Sequence, residues 1–402
     1  MSSASGVCAE PMSANPEVVG GNEDESVRRR RRGTLEEVFD AQNNALNAWR
    51  LAMATGVILW HSWLITGRTI SFEPAHQLLR DVWVDGFFAI SGFLITWSWV
   101  RRPRLRDYFV ARGLRILPGF WVCLIVIAFV IAPIGVAIQG GSPGRLLLSP
   151  APIQYVLNNF ALMMRQSDVA GTPLGVPLPG EWDSSLWTLY WEALCYIAIA
   201  ILGITGLLRR RWVVPVLLML AVVWSTRLPS MSAIVEAPPD KRPPLDAATQ
   251  LLIAEGAAAR FAVMFLAGAL LYQVRTVIPA RWSLVALSVA VVLAASLLPN
   301  YRWIAAFPLA YALVVSGSLI HHPRLRLRTD LSYGVYIYAF PIQQILVICG
   351  LAFLAPPVFA IVAAVLTLPL AALSWFLIEK PALSLKTRLT PKTPPPTALP
   401  PA

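Results

Sequence analysis

The sequence predicts an all-α fold: a polytopic membrane protein with about ten transmembrane helices and both termini in the cytoplasm. Hydrophobic residues make up 56% of the 402 positions and charged residues only 14%, whereas a soluble domain carries about 25% charge. The apolar residues are concentrated in long stretches, and basic residues gather in alternate loops between them. A basic bias of this kind marks cytoplasmic loops in membrane proteins.

The apolar stretches fix the expected spans, since a bilayer-crossing helix needs about 20 residues. The spans are expected near 48–66, 81–100, 117–138, 186–206, 212–229, 252–274, 282–299, 302–320, 332–353 and 357–378. The segment 152–164, "PIQYVLNNFALMM", is too short to span. We expect it to lie in the membrane interface or to cap a pocket.

Polar tails flank the membrane domain, which we expect over residues 43–385. Residues 1–42 contain the run Arg28 to Arg32 and no apolar signal-peptide core, so they are predicted to be a disordered cytoplasmic tail. Residues 386–402 are rich in proline and cannot pack a core, which predicts a second cytoplasmic tail.

The loop charges set the predicted orientation. With the N-terminus inside, the inner loops carry Arg101, Arg102, Arg104, Arg106, Arg112, Arg115, Arg209, Arg210, Arg211, Arg275, Arg281, Arg324, Arg326 and Arg328. The net charge of +11 is therefore attributed to membrane topology, and no nucleic-acid partner is expected. The four cysteines have neither disulfide nor metal-ligand spacing.

The first span, "NAWRLAMATGVILWHSWLI", contains two residues that are costly near lipid, Arg50 and His61. They are eleven positions apart, which is about three helical turns, so both project from one face about 16 Å apart along the axis. Taken singly, each residue also has a purely structural explanation. Arg50 could be a snorkelling anchor at the membrane surface, and His61 could be a packing residue at a helix contact. The pair on one face leaves the functional and structural interpretations equally open.

Carboxylates in two other spans are predicted to lie at the depth of His61. Asp85 begins the second span and Glu192 lies in the fourth. A carboxylate beside a histidine orients the ring and stabilises the imidazolium. His61 is the only one of four histidines inside a span, so a general base is favoured over a metal site, and no bound cofactor is expected.

Two further charge patterns have competing explanations. Arg112 and Arg115 are three apart and lie side by side on a helix, so they could share one polyanion, although membrane topology alone would also place them there. Glu255 and Arg260 in the sixth span are expected to pair with each other.

Several stretches, taken in order, resemble the acyltransferase-3 family of integral membrane O-acyltransferases. Arg50 and His61 resemble its arginine–histidine motif, and Arg112 and Arg115 its R-x-x-R motif. Four further blocks are similar to family blocks: "VDGFFAISGFLIT", which contains Asp85 and Ser91, "SLWTLYWEALCY", which contains Glu192, "LSYGVYIYAFPIQQ" and "LSWFLIEKP". The resemblance covers about residues 43 to 385. Two positions depart from it: Ala339 stands where many relatives have histidine, and Asp85 is transposed with its neighbouring glycine.

The resemblance implies acyl transfer from a cytoplasmic acyl-CoA to a hydroxyl at the outer face of a bacterial inner membrane. It implies that Arg112 and Arg115 hold the CoA phosphates, with Arg50 along the route of the donor. His61 would be the base, oriented by Glu192 or alternatively Asp85. Direct transfer is preferred over an acyl-enzyme, because no serine or cysteine is visibly paired with His61.

The sequence defines the acceptor-binding part of the predicted site less closely than the donor-binding part. Ser91, Tyr338 and Gln343 are expected to bind substrate, although polar residues such as Tyr338 and Gln343 could equally make hydrogen bonds between helices. The acceptor is expected to be an envelope glycan or glycolipid, with a macrolide-type metabolite as an alternative. The acyl group could be acetyl, succinyl or longer.

Two functions outside this enzyme class fit the same residues. A proton-coupled transporter or flippase would use Arg50, His61 and Glu192 as a relay, but it has no need of the arginine pair at 112 and 115. A non-catalytic membrane scaffold would leave the buried His61 and Glu192 without a use.

Overall fold

The computed structural model describes residues 33–229, 246–327 and 329–389. The arginine run of the N-terminal tail and most of the proline-rich C-terminal tail lie outside the described residues. Residues 33–42 are described and include the short helix Leu35–Val38, in which Leu35 is fully buried, so the prediction of disorder is wrong for this part of the tail. Within these ranges every regular element is a helix and no strand is present. The prediction of an all-α fold is confirmed.

The helices follow the chain in two groups. The first is α1 Leu46–Ile65, α2 Glu73–Arg101, α3 Leu105–Ile138, α4 Pro143–Leu148, α5 Ala151–Asn159, α6 Thr188–Ile204 and α7 Val213–Arg227. The second is α8 Ala247–Gln273, α9 Trp282–Ala295, α10 Arg302–Leu319, α11 Ser332–Ile348, α12 Pro356–Ser374 and α13 Lys380–Leu389. A π-helical segment interrupts α3 at Ile127–Ile131, and another, Trp375–Glu379, joins α12 to α13.

Each predicted span coincides with one of these helices, and the short segment at 152–164 coincides with the nine-residue α5. By length and composition, four helices among the described residues are long and apolar enough to cross a membrane: Leu105–Ile138, Ala247–Gln273, Arg302–Leu319 and Pro356–Lys386. A multi-pass membrane protein is therefore supported, while ten spans and cytoplasmic termini stay predictions.

Helix ends follow from local chemistry. The α8 helix begins after Asp246, whose carboxylate accepts a hydrogen bond from the backbone N–H of Thr249 at 2.8 Å. Proline occupies the first turn of α2 and α12, where its missing N–H leaves no helical bond unmade. Gly206 and Gly350 have positive φ angles just beyond α6 and α11, a conformation that glycine adopts without strain.

Close packing of α2 against α8 fixes the centre of the bundle. A Cβ added to Gly92 of α2 would lie within 3.0 Å of the backbone carbonyl of Phe265, and one added to Gly268 would meet Ala89 in the same way. Small residues let two helix backbones approach this closely. The α1 helix then packs against both α2 and α11, so these elements surround the first-span residues Arg50 and His61.

We predict that Gly268→Ala lowers the melting temperature and the folded yield. The new methyl group would force α2 and α8 apart, and overpacking of this kind costs about 1–3 kcal/mol. The matched control is Gly113→Ala, since its Cβ would have only an ordinary contact, 3.7 Å from Leu117. Thermal denaturation of the detergent-purified protein measures both, and equal melting temperatures would contradict the packing argument.

Candidate active site

Two cavities lie along α1, one near each of its unusual polar residues. The first has a volume of about 290 Å³ and is lined by Arg50, Arg112 and Arg115 among others; we call it the arginine cavity. The second has a volume of about 800 Å³ and is lined by His61; we call it the histidine cavity. The two ends of the first span therefore face different spaces.

Asp330 holds two of the three arginines in the arginine cavity. Its Oδ2 lies 2.5 Å from a guanidinium nitrogen of Arg115 and 3.6 Å from one of Arg50. Burial alone would raise the pKa of Asp330, but Arg115 and Arg50 hold it below the usual value, so this carboxylate stays ionised. One negative charge is thus shared by two guanidinium groups.

Arg112 has a different environment. Its guanidinium donates to the Ser98 hydroxyl at 2.7 Å and lies over the rings of Tyr108 and Tyr196, 5.6 and 5.8 Å from their centroids. The Nε atoms of Arg112 and Arg50 are buried and have no hydrogen-bond partner among the described residues. Both arginines line the cavity, and charged guanidinium groups suit a ligand rich in hydrogen-bond acceptors.

Glu192 belongs to the arginine cavity. Its Oε1 accepts hydrogen bonds from the Ser91 hydroxyl at 3.1 Å and from the Tyr196 hydroxyl at 2.5 Å. The expected position beside His61 is not observed. Thr188, four residues before Glu192 on α6, lines both cavities. Glu192 is about one helical turn further along α6 and lines only the arginine cavity.

His61 is buried at 7% exposure, and its ring packs edge-on against Phe340 with 5.0 Å between centroids. Its Nδ1 has no hydrogen-bond partner in the described parts of the chain. The residue lines the histidine cavity, and a neutral imidazole on a cavity wall can accept a proton from a bound hydroxyl.

Asp85, the alternative partner of His61, lies in a cluster of ion pairs. Its two carboxylate oxygens accept from Arg260 at 2.8 Å and Arg302 at 2.5 Å, and from the Tyr301 hydroxyl. Asp81 pairs with the same two arginines, at 3.1 and 2.8 Å. This cluster ties α2, α8 and α10 together.

The cluster corrects two expectations from the sequence. Asp85 binds arginines and does not orient His61. Arg260 pairs with Asp81 and Asp85, so its predicted pairing with Glu255, five residues before it, is wrong. These partners are more than 170 positions apart along the chain, beyond the reach of helical spacing.

The two remaining predicted residues, Tyr338 and Gln343, line neither cavity. The Gln343 side chain donates to the Ile58 carbonyl at 3.0 Å and the Ser62 hydroxyl at 2.9 Å, which fastens α11 to α1. Tyr338 is buried at 2% exposure. For Gln343 the structure thus favours the helix-contact role that the sequence left open.

The histidine cavity contains a carboxylate that sequence analysis missed, Glu181, in the segment before α6. Burial raises its pKa above the ordinary value, and a hydrogen bond from Ser184 opposes the rise. The segment is held to α11 by Gln344, which donates to the carbonyls of Leu178 at 3.0 Å and Glu181 at 2.6 Å. Among the described residues, no group of three or more His, Cys, Asp or Glu side chains could hold a metal ion.

Comparison with known proteins gives consistent matches over the membrane region. A family model described as an acyltransferase domain matches residues 43–376. The chain is 29% identical to a nodulation protein 10 of Rhizobium leguminosarum bv. viciae over 375 residues, 89% of this chain and 98% of that protein. It is 26% identical to an O-acetyl transferase of Shigella phage Sf6 over 362 residues, 87% of this chain and 98% of that protein. No solved structure matches significantly.

We predict that Asp85→Asn destabilises the protein through its effect on the ion cluster. Removing one partner of a buried ion pair typically costs about 3–5 kcal/mol, because the opposite charges stay buried without compensation. Glu73→Gln is the control, since its carboxylate lies on the same helix but is 70% exposed. Melting temperatures in detergent should fall sharply for the first variant only. Equal values would mean that Asp85 does not hold the helices together.

Proposed function

Because the chain belongs to the acyltransferase-3 family and is an O-acyltransferase, we propose that it transfers an acyl group from a cytoplasmic acyl-CoA to a hydroxyl of a cell-envelope glycan or glycolipid. The transfer would occur at the outer face of the bacterial inner membrane. The observation that carries this proposal is the pair of cavities along α1, one cationic and one containing His61.

The arginine cavity suits the donor. CoA is polyanionic, and guanidinium groups bind phosphate through two parallel hydrogen bonds. Arg112 and Arg50 line this cavity, and the Nε atom of each has no hydrogen-bond partner among the described residues, so the protein does not saturate either guanidinium group. Arg115 is already paired with Asp330 and would add charge to the site.

The acyl-CoA donor would extend from one cavity into the other, so that its nucleotide need not cross the membrane. Its nucleotide would stay at the arginines while the thin pantetheine arm extends along α1 toward His61. Glu192 lies on this route, and we assign it to accept a hydrogen bond from an amide N–H of the arm. Ser91 and Tyr196 hold its carboxylate in place.

His61 would act as the general base in direct transfer. It removes the proton of the acceptor hydroxyl, and that oxygen attacks the thioester carbonyl carbon. The carbon–sulfur bond then breaks, and the imidazolium returns the proton to the CoA thiolate. No acyl-enzyme is required. Glu181 lines the same cavity and would bind hydroxyls of the acceptor.

The histidine cavity favours a sugar over a macrolide-type metabolite. Its volume of about 800 Å³ falls within the range of ligand pockets. Polar side chains such as Thr69, Gln77 and Asn300 contribute to its lining, which suits a substrate with many hydroxyls. Acetyl is the acyl group we favour, in keeping with the relative named as an O-acetyl transferase. Membership of an enzyme family weighs against the transporter and scaffold interpretations.

We predict that His61→Ala abolishes acyl transfer. Loss of a general base typically lowers the rate by about 10²–10⁴-fold. The measurement is mass spectrometry of base-labile esters on the envelope glycans of a host that lacks the gene, with protein levels matched. His321→Ala, which changes an exposed histidine in a loop, is the control. Unchanged esters in His61→Ala would disprove its role as base, and no added ester with wild type would disprove the proposed acceptor class.

We predict that Arg112→Gln and Arg115→Gln each raise the KM for acetyl-CoA by about tenfold or more, since a charged hydrogen bond contributes about 1.5–3 kcal/mol. The KM for acetyl-pantetheine, which lacks the nucleotide phosphates, should not change. Release of free thiol by the purified protein measures both donors.

Arg106→Gln provides the control for these variants, because Arg106 is an exposed arginine of the same helix, α3. Its KM for acetyl-CoA should match wild type. Equal losses with acetyl-CoA and acetyl-pantetheine would show that the arginine pair does not contact the nucleotide.

A further inference from the structure

The arginine and histidine cavities share three lining residues: Val84, Thr188 and Tyr336. Val84 is apolar, so the polar groups of this shared wall are the hydroxyls of Thr188 and Tyr336. If the donor occupies one cavity and the acceptor the other, their reacting atoms must meet at this wall. The wall therefore sets the place where the thioester carbonyl is attacked.

The two hydroxyls form a small network with one backbone acceptor. The Thr188 and Tyr336 oxygens are 2.6 Å apart, and each lies 3.1 Å from the carbonyl oxygen of Ser185. Two O–H donors thus share one carbonyl acceptor. The carbonyl oxygen has two lone pairs and can accept from both hydroxyls, so when Thr188 keeps its bond to Ser185, the Tyr336 hydrogen can turn toward a ligand without leaving the carbonyl unpaired.

His61 lines the histidine cavity together with Thr188 and Tyr336. Its ring contacts Phe340, which is four residues after Tyr336 on α11. Residues at this spacing lie on one face of a helix, separated by about 6 Å along its axis. The Tyr336 ring also packs edge-on against Phe87, a lining residue of the arginine cavity, with 5.6 Å between centroids. Tyr336 therefore borders both the cavity of the proposed base and the cavity of the proposed donor.

We infer that Tyr336 is a further catalytic residue, whose hydroxyl donates a hydrogen bond to the carbonyl oxygen of the acyl thioester, and that Thr188 is its positioning residue. This inference rests on the proposed acyl-CoA-dependent transfer. As the acceptor oxygen bonds to the carbonyl carbon, the carbonyl π electrons move to oxygen, and Tyr336 stabilises that negative charge. The charge returns to re-form the carbonyl when the carbon–sulfur bond breaks and the thiolate takes the proton from His61.

The test separates this role from packing by measuring rate and donor binding independently. Tyr336→Phe keeps the ring against Phe87 and removes only the hydroxyl. We expect kcat to fall by about 10²–10³-fold, the effect of removing one oxyanion donor. The Kd for a non-reactive thioether analogue of acetyl-CoA should stay within threefold of wild type. The acceptor is the envelope glycan fraction that the wild-type protein labels from radioactive acetyl-CoA.

Thr188 variants provide a second measurement that does not alter the tyrosine. Thr188→Val, which has nearly the same shape without the hydroxyl, should lower kcat by about tenfold. Thr188→Ser, which restores the hydroxyl, should recover it. A purely steric role of Thr188 would give the opposite order, because valine keeps the shape better than serine.

Tyr155→Phe is the matched control, since the Tyr155 hydroxyl is buried without a hydrogen-bond partner in the described chain and lines neither cavity. It should have wild-type kcat. The inference is overturned if Tyr336→Phe retains wild-type kcat, or if its defect lies wholly in the Kd of the thioether analogue. If the wild-type protein binds the analogue but labels no glycan fraction, the proposed acceptor fails. If it does not bind the analogue, the proposed donor fails.

Discussion

The rest of this structure depends on the cost of burying charge inside an apolar helical bundle. An ionised side chain away from water must be paired, or the bundle does not form. Asp81 and Asp85 of α2 meet this condition with Arg260 of α8 and Arg302 of α10. Together with the glycine contacts between α2 and α8, the ion pairs fix three helices relative to one another, and those helices carry one wall of the histidine cavity.

The same constraint separates structural charges from functional ones. In the ion cluster each carboxylate oxygen of Asp85 has an arginine partner. In the arginine cavity, by contrast, one carboxylate serves both Arg50 and Arg115, and the Nε atoms of Arg50 and Arg112 are left without partners among the described residues. Incomplete pairing of buried cations costs free energy. An anionic ligand would remove that cost, which is why we connect the phosphates of the donor with this cavity.

Local sequence patterns predicted the positions of the helices and six of the residues that line the two cavities: Arg50, His61, Ser91, Arg112, Arg115 and Glu192. Arg50 and His61 could be placed on one face because helical geometry fixes their relation within a single segment. The partners of Glu192 and Asp85 could not be predicted in this way, since they depend on the depth and rotation of separate helices. One turn of α6 puts Glu192 with Ser91 and the arginines instead of His61. Asp330 and Glu181 gave no local signal, and Tyr336 lies in a block that resembles the family but had no predicted role, because only the packing of distant segments brings these residues to the cavities.

The arrangement of the two cavities accounts for how a donor and an acceptor on opposite sides of a membrane could react. A single large cavity would let the CoA nucleotide follow its acyl group and would give water a continuous path. Here the two spaces share only a short wall at Val84, Thr188 and Tyr336 within the described chain. If the extended thioester arm of the proposed donor passes this wall, the reactive carbonyl can reach the acceptor while the phosphates stay at the arginines. The hydroxyls of Thr188 and Tyr336 are the polar side-chain groups common to both linings, so they are placed to stabilise the negative charge that would develop on the carbonyl oxygen there.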